Sequence, residues 1–295
     1  MKKILLPALL LVLVLTGCVH KTPFTSEYFY QALGEPGEIV MTADMERIKS
    51  GELGELVDES VRTNSMVKKT TRVSVSIDTA SSDDGEEYYV TSGAAEGDIS
   101  RFIVNTGLFF SPQFSKEKDE GTEWYRQKDG DLSLYVPQSG VLLFTDGDYP
   151  SFFRRSYSER EMVIDDETAS LMASSAFSLY VFEPENLSEI GFELPDTVLS
   201  EIKETCLLFN EKEGDIKLSG YINTTSDGTA RALNTLFRNQ IIQEKRRAGE
   251  KLDVSALSGI FITSGTSVII TDYALSGEMK ENAKALISER LGGLI

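Results

Sequence analysis

A single histidine and two cysteines in 295 residues remove much of the common catalytic equipment at the outset. The histidine is His20, two residues past Cys18 and close to the amino end. A Ser-His-Asp or Cys-His constellation therefore has no base held in a folded body, and a His/Cys zinc site has no ligand set. Basic residues are scarce too: 29 Lys plus Arg against 47 Asp plus Glu leave a net charge of −18. That balance excludes a nucleic-acid backbone as the expected partner, because phosphate contact needs a basic surface. Phosphate and dinucleotide loops are missing as well, with no Gly-x-x-x-x-Gly-Lys and no Gly-x-Gly-x-x-Gly after a strand. No cofactor is expected. The apolar run Ile4–Leu15, broken only by Pro7, spans roughly 18 Å as a helix, short of a hydrocarbon core of about 30 Å. What is present, 41% apolar and 26% charged residues, suits a folded globular chain. At roughly 100–200 residues per domain its length suggests two domains.

Met1-Lys2-Lys3 places positive charge ahead of the apolar run, and Leu15-Thr16-Gly17-Cys18 closes it. This is the pattern of a secretory signal, so residues 1–17 are set aside from fold reasoning. The ending resembles the lipobox of bacterial lipoproteins, in which an apolar and two small residues precede a cysteine. The resemblance covers residues 1–18 only. It implies a diacylglyceryl group on the Cys18 sulfur, cleavage between Gly17 and Cys18, and acylation of the new amine. The membrane is then a partner through the N-terminal lipid, each buried methylene contributing about 0.8 kcal/mol. The implied location is the bacterial cell envelope, with the body outside the cytoplasm. Val19 stands where an Asp retains many lipoproteins at the inner membrane, which points to the outer membrane. An acidic body on this tether is repelled by anionic headgroups and is expected to stand off the bilayer. With Cys18 acylated no internal disulfide is possible. Cys206, in the apolar run Thr205–Phe209, reads as a small core residue.

Residues 18–35 read as a tether, with an aromatic knot at Tyr28-Phe29-Tyr30 expected to dock on the body. Short strands then alternate with modest helices. Strands are expected at Glu38–Ala43, at Arg72–Ile77 with Val73, Val75 and Ile77 on one face, and at Glu87–Thr91. A helix runs from about Asp44 to Ser60, and another follows Asp98 with Ile99, Phe102, Ile103 and Leu108 as apolar positions. A hairpin over Leu132–Val136 and Val141–Phe144 closes this half. The second half repeats the order: strand Phe177–Phe182, helix Pro195–Lys203, strands Thr205–Phe209 and Ile216–Ile222, helix Asp227–Ala248 and hairpin Gly259–Thr271. Leu134–Asp146 aligns without gaps on Ile260–Asp272, both ending in Thr-Asp. A repeat is a unit that buries a face against its neighbours.

The expected fold is α+β: two related, internally duplicated domains, each an antiparallel sheet with helices on one face. Each unit resembles a ferredoxin-like β-α-β-β-α-β arrangement plus an extra hairpin strand. The first domain spans residues 36–150, a linker 151–168, and the second domain 169–295 with a C-terminal helix near Glu278–Leu291.

Two surface features stand out. Phe152, Phe153, Arg154 and Arg155 form an aromatic, basic island in an acidic chain, the composition of a binding hot spot. They are the candidate partner-binding residues, for an envelope protein, with a wedge between the two domains as the competing structural role. Gln243–Arg247 is the second basic cluster, suited to the dipole at a helix C-terminus. Ser-x-x-Lys occurs at Ser65/Lys68, Ser115/Lys118 and Ser200/Lys203 without the companion motifs of β-lactamases. Acidic turns such as Asp129-Gly-Asp131 and Asp146-Gly-Asp148 lack the spacing of a calcium loop. The expected function is thus a lipid-anchored, non-enzymatic binding or scaffold protein of the envelope. A hydrolase using a carboxylate pair or a metal is the alternative, requiring close acids in an inter-domain cleft.

Overall fold

The computed structural model describes residues 29–33, 39–50, 68–81, 87–119, 121–157, 162–182, 196–247, 249, 257–275 and 280. Cys18, most of the tether, residues 51–60 of the helix expected from Asp44, and the expected C-terminal helix apart from Lys280 lie outside these residues.

Among the described residues twelve strands form one sheet, in the order β11-β12-β10-β9-β8-β1-β2-β3-β7-β6-β5-β4. They are β1 (Ile39–Asp44), β2 (Thr70–Ser81), β3 (Glu87–Gly97), β4 (Phe114–Asp119), β5 (Thr122–Gln127) and β6 (Ser133–Gln138). β7 (Val141–Thr145), β8 (Phe177–Phe182), β9 (Ile202–Lys212), β10 (Asp215–Thr224), β11 (Phe261–Ser264) and β12 (Ser267–Ala274) follow. Every described pairing is antiparallel. The split crossover of a ferredoxin-like unit, with its parallel strands, therefore does not occur among them. The helices are α1 (Met45–Ser50), α2 (Arg101–Phe110), α3 (Tyr149–Tyr157), α4 (Asp166–Ala173), α5 (Asp196–Leu199), α6 (Asp227–Arg247) and α7 (Leu257–Ile260). A 3₁₀ turn covers Phe29–Leu33.

The halves join where β1 pairs with β8, Ile39 opposite Val181 and Met41 opposite Leu179. Both strands are buried on both sides, so the sheet needs cover on two faces rather than the one expected. Met45 and Ile48 of α1, Val104 of α2 and Ala230, Leu233 and Ile241 of α6 pack on one face. Tyr30 and Leu33 of the 3₁₀ turn, Tyr149 and Phe152 of α3 and Ala169 and Met172 of α4 pack on the other. The segment expected as a linker thus supplies the cover of the second face. At Gly93 the sheet admits no side chain, since a Cβ there would fall 2.4 Å from Phe144 Cζ and 2.6 Å from the Ser74 carbonyl.

The strand order β1-β2-β3-β7-β6 of the first half has the same form as β8-β9-β10-β12-β11 of the second. Helix starts follow suit. Ser100 Oγ accepts from Ile103 N at 3.4 Å to cap α2, and Ser226 Oγ accepts from Thr229 N at 3.1 Å at the start of α6. An asparagine then ties each helix to the first strand of a hairpin, α2 to β6 and α6 to β11. Asn105 Nδ2 donates to the Val136 carbonyl (3.0 Å) while its Oδ1 accepts from Val136 N (3.1 Å). Asn234 Nδ2 donates to the Phe261 carbonyl (3.3 Å) and to Thr263 Oγ1 (2.7 Å).

Candidate functional site

Two features of the first half have no counterpart among the described residues of the second, and they adjoin. One is the outer face of α2, an apolar helix whose ten residues include none that is buried. Val104 packs on the core, and Leu108, four residues on, is half-buried. Phe102, Ile103, Phe109 and Phe110 occupy the opposite side, since residues seven apart share a face. They are exposed by 78%, 67%, 60% and 76% respectively. The matching side of α6 carries Arg231, Ala232, Thr235, Leu236, Asn239 and Gln240, a largely polar set. The topology therefore does not require an apolar outer face here.

The other feature is the β4–β5 hairpin, which extends the sheet beyond β6. Its strand β5 sends Glu123 and Tyr125 toward α2, completing an open groove of about 620 Å³. Phe102, Phe109 and Phe110 supply apolar wall, while Arg101 and Tyr135 line its polar end. Arg101 Nη2 donates to Tyr135 Oη at 3.2 Å. Lys116 Nζ lies 2.9 Å from Glu123 Oε2, and that hydrogen bond holds the Glu123 carboxyl below its ordinary range. Burial pushes the Tyr125 phenol up. On the far side of β5, Trp124 stacks on Tyr149 of α3, ring centroids 5.7 Å apart. The groove thus offers apolar contact with one guanidinium at its rim.

The expected partner island is not presented as a patch. Phe152 is 4% exposed and meets Tyr149 edge-on at 6.2 Å, so it belongs to the core. Phe153 is half-buried and stacks on the same ring at 6.1 Å. Arg154 is exposed and donates to Ser151 Oγ at 3.3 Å, while Arg155 is half-buried. The four expected partner residues are divided because α3 turns its aromatic side onto the sheet.

Among the described residues no three His, Cys, Asp or Glu side chains gather as metal ligands would. The acidic turns have structural partners: Asp146 Oδ1 accepts from Thr91 N at 2.7 Å, Asp148 Oδ2 from Ser151 N at 3.0 Å, and Asp165 Oδ1 from Thr168 N at 2.7 Å. The seam between halves is strand pairing with apolar cover, not a cleft holding acids. Cys206 is fully buried, and desolvation pushes its thiol up to about 12. Glu204 beside it is occupied by Tyr180 Oη (2.7 Å) and Asn223 Nδ2 (2.5 Å). No helix among the described residues is long and apolar enough to cross a membrane.

Sequence reasoning missed Glu123 and Tyr125 because β4 and β5 alternate charge and carry few apolar residues. It named Phe102 and Ile103 as apolar positions of a helix without saying which side of that helix meets the body. The signal that separates them from Val104 and Leu108 is their repetition at Phe109-Phe110, one face and not the other.

No family model and no curated protein matches the chain. Among solved structures, crystal form I of TP0453 is similar over 90% of this chain and 98% of that one, with a TM-score of 0.55 and 12% identity. Crystal form IV of the same protein gives 0.54 over 88% and 96%, again at 12% identity. At that identity the likeness is one of fold.

Proposed function

We propose that this chain is a lipid-anchored, non-enzymatic binding protein of the bacterial envelope, and that the outer face of α2 is its binding surface. The observation that carries the proposal is the run of four exposed large apolar side chains on α2 where the equivalent side of α6 is largely polar. An exposed apolar cluster of this kind is unfavourable in a free soluble body and marks a surface that is covered in use. The bilayer is the apolar surface nearest to an acylated Cys18, and aromatic residues on a short helix suit its interface. In this reading the body rests on the membrane through α2, and the general repulsion of its acidic surface is overcome locally. The repeated strand order, the paired serine caps and the paired asparagine ties support an origin by internal duplication, after which only the first copy gained the binding face.

Labelling of cells with palmitate tests the anchor. Label is expected on the wild-type chain and not on Cys18→Ala, and globomycin is expected to leave residues 1–17 attached. A chain that carries no acyl group would overturn the proposal.

A further inference from the structure

The sheet forks between β5 and β6. β4 and β5 pair along their whole length, from Phe114 opposite Gln127 to Asp119 opposite Thr122. β5 meets β6 only where Tyr125 lies opposite Leu134 and Arg126 opposite Ser133. Hydrogen-bonding direction alternates along an antiparallel strand. Lys128 N donates to the Gln113 carbonyl on the β4 side at 2.9 Å, and Gln127 N donates to the Leu132 carbonyl on the β6 side at 2.8 Å. Tyr125 and Glu123 alternate in step with Gln127, so their N–H and C=O groups are also directed toward β6. One step further, the ladder would set Glu123 opposite Val136. It stops short, because Asn105 of α2 already serves both backbone groups of Val136, at 3.0 and 3.1 Å. The Asn105 amide stands where the Glu123 backbone would stand.

The open groove beside α2 lies in this fork, with Glu123 and Tyr125 on one bank and Arg101, Phe102, Asn105 and Phe109 on the other. Three kinds of contact meet there. The Glu123 N–H and C=O are a donor and an acceptor side by side, the template that a strand edge offers to another chain. Phe102 and Phe109, seven residues apart on one side of α2, give an apolar wall. Arg101 donates to the Tyr135 phenol at 3.2 Å, and among the described residues no carboxylate lies within ion-pair distance of its guanidinium. The nearby Glu123 carboxylate is held by Lys116 instead. An acyl chain laid in the fork would cover the Glu123 backbone groups without bonding them, which costs free energy. An extended peptide satisfies both groups, and a carboxylate on it meets the guanidinium.

We propose that the fork is a docking site for an extended polypeptide segment with one acidic side chain, which adds to β5 as a strand. The segment's residue opposite Glu123 exchanges two main-chain hydrogen bonds with it. Alternate side chains lie against Phe102 and Phe109, and the acidic one pairs with Arg101. Main-chain pairing tolerates many apolar residues in the segment, and Arg101 supplies the selection for charge. The site goes beyond the membrane reading and needs neither the anchor nor the bilayer.

Peptide titration of the mature chain without acyl groups, with no vesicles present, tests this. The probe is an acetylated, amidated hexapeptide that alternates valine and threonine around one aspartate. Binding is read from the Glu123 amide by NMR and from the anisotropy of a labelled copy. Saturable binding that shifts the Glu123 amide is expected. A copy N-methylated at every amide keeps the side chains and is expected not to bind. Glu123→Pro removes the N–H that faces the fork and no bond to β4. It is expected to weaken the peptide about 10-fold, as the loss of one hydrogen bond does, while Glu123→Gln does not. Arg101→Met is expected to weaken the aspartate peptide by about 10-fold and its asparagine copy by no more than about 2-fold. On the wild-type chain alone, absence of saturable binding or equal binding of the N-methylated copy would overturn the proposal. Equal affinities of folded Glu123→Pro and Glu123→Gln would overturn it as well.

Discussion

Glu96 sits on β3 opposite Arg72, where burial raises its carboxyl from 4.5 to about 7 and the Arg72 charge partly opposes the rise. In the unfolded chain the group has its ordinary carboxylate value. Folding therefore favours the protonated form, and this contribution is full below about pH 4.5 and is lost as pH rises toward 7 and above. Glu96→Gln is expected to remove that dependence and to raise stability at pH 8 by on the order of 1–2 kcal/mol, read from urea midpoints at pH 5 and pH 8. An unchanged pH profile would refute the assignment. Gly93 makes the complementary point about space. Gly93→Ala is expected to cost about 1–3 kcal/mol, because its methyl would enter the Phe144 ring. On α2, by contrast, Phe102→Ser with Phe110→Ser is expected to change stability by no more than about 0.5 kcal/mol per site, since both side chains are largely exposed at the open groove.

The helix α2 is held by its cap, by the half-buried Val104 and by one polar side chain rather than by a fully buried stripe. Its tie is Asn105, which satisfies both backbone groups of Val136. Asn105→Leu would leave those groups without this partner. It is expected to cost about 1–3 kcal/mol and to loosen the groove, so apolar binding should fall along with the urea midpoint. Elements with strong periodicity were legible in the sequence. The alternation of Val73, Val75 and Ile77 gave β2, and Leu233, Phe237 and Ile241 gave α6, because in both a single apolar face determines the period. The serines between those valines misled, since alternation tells that a face is polar but not that a tether and two helices will cover it. β4 and β5 escaped notice because charged cross-strand pairs such as Lys116 and Glu123 stabilise a hairpin without any apolar signature. The buried side of α2 was not legible for a related reason: apolar residues on both sides of a helix leave sequence unable to say which side meets the body.

At the scale of the molecule, the seam of β1 on β8 makes one sheet of two similar halves, and the expected linker became α3 and the first turn of α4 on its second face. Met41→Ala is expected to cost about 2–5 kcal/mol and to shift the unfolding of both halves together, because β1 is shared between β2 and β8. Separate transitions by Trp124 fluorescence and far-UV signal would show instead that the halves unfold alone. Net charge acts at this scale as well. With −18 spread over the chain, binding to anionic vesicles through an apolar face should strengthen as salt screens the repulsion over a Debye length of roughly 8–10 Å; binding through the basic groups would weaken.

Flotation of the mature chain without acyl groups on phosphatidylcholine vesicles tests the central claim most directly. The wild-type chain is expected to float with the vesicles and the Phe102→Ser, Phe110→Ser variant to stay in the soluble fraction, at matched folded content. Equal flotation of the two, or a wild-type chain that never leaves the soluble fraction, would contradict the account.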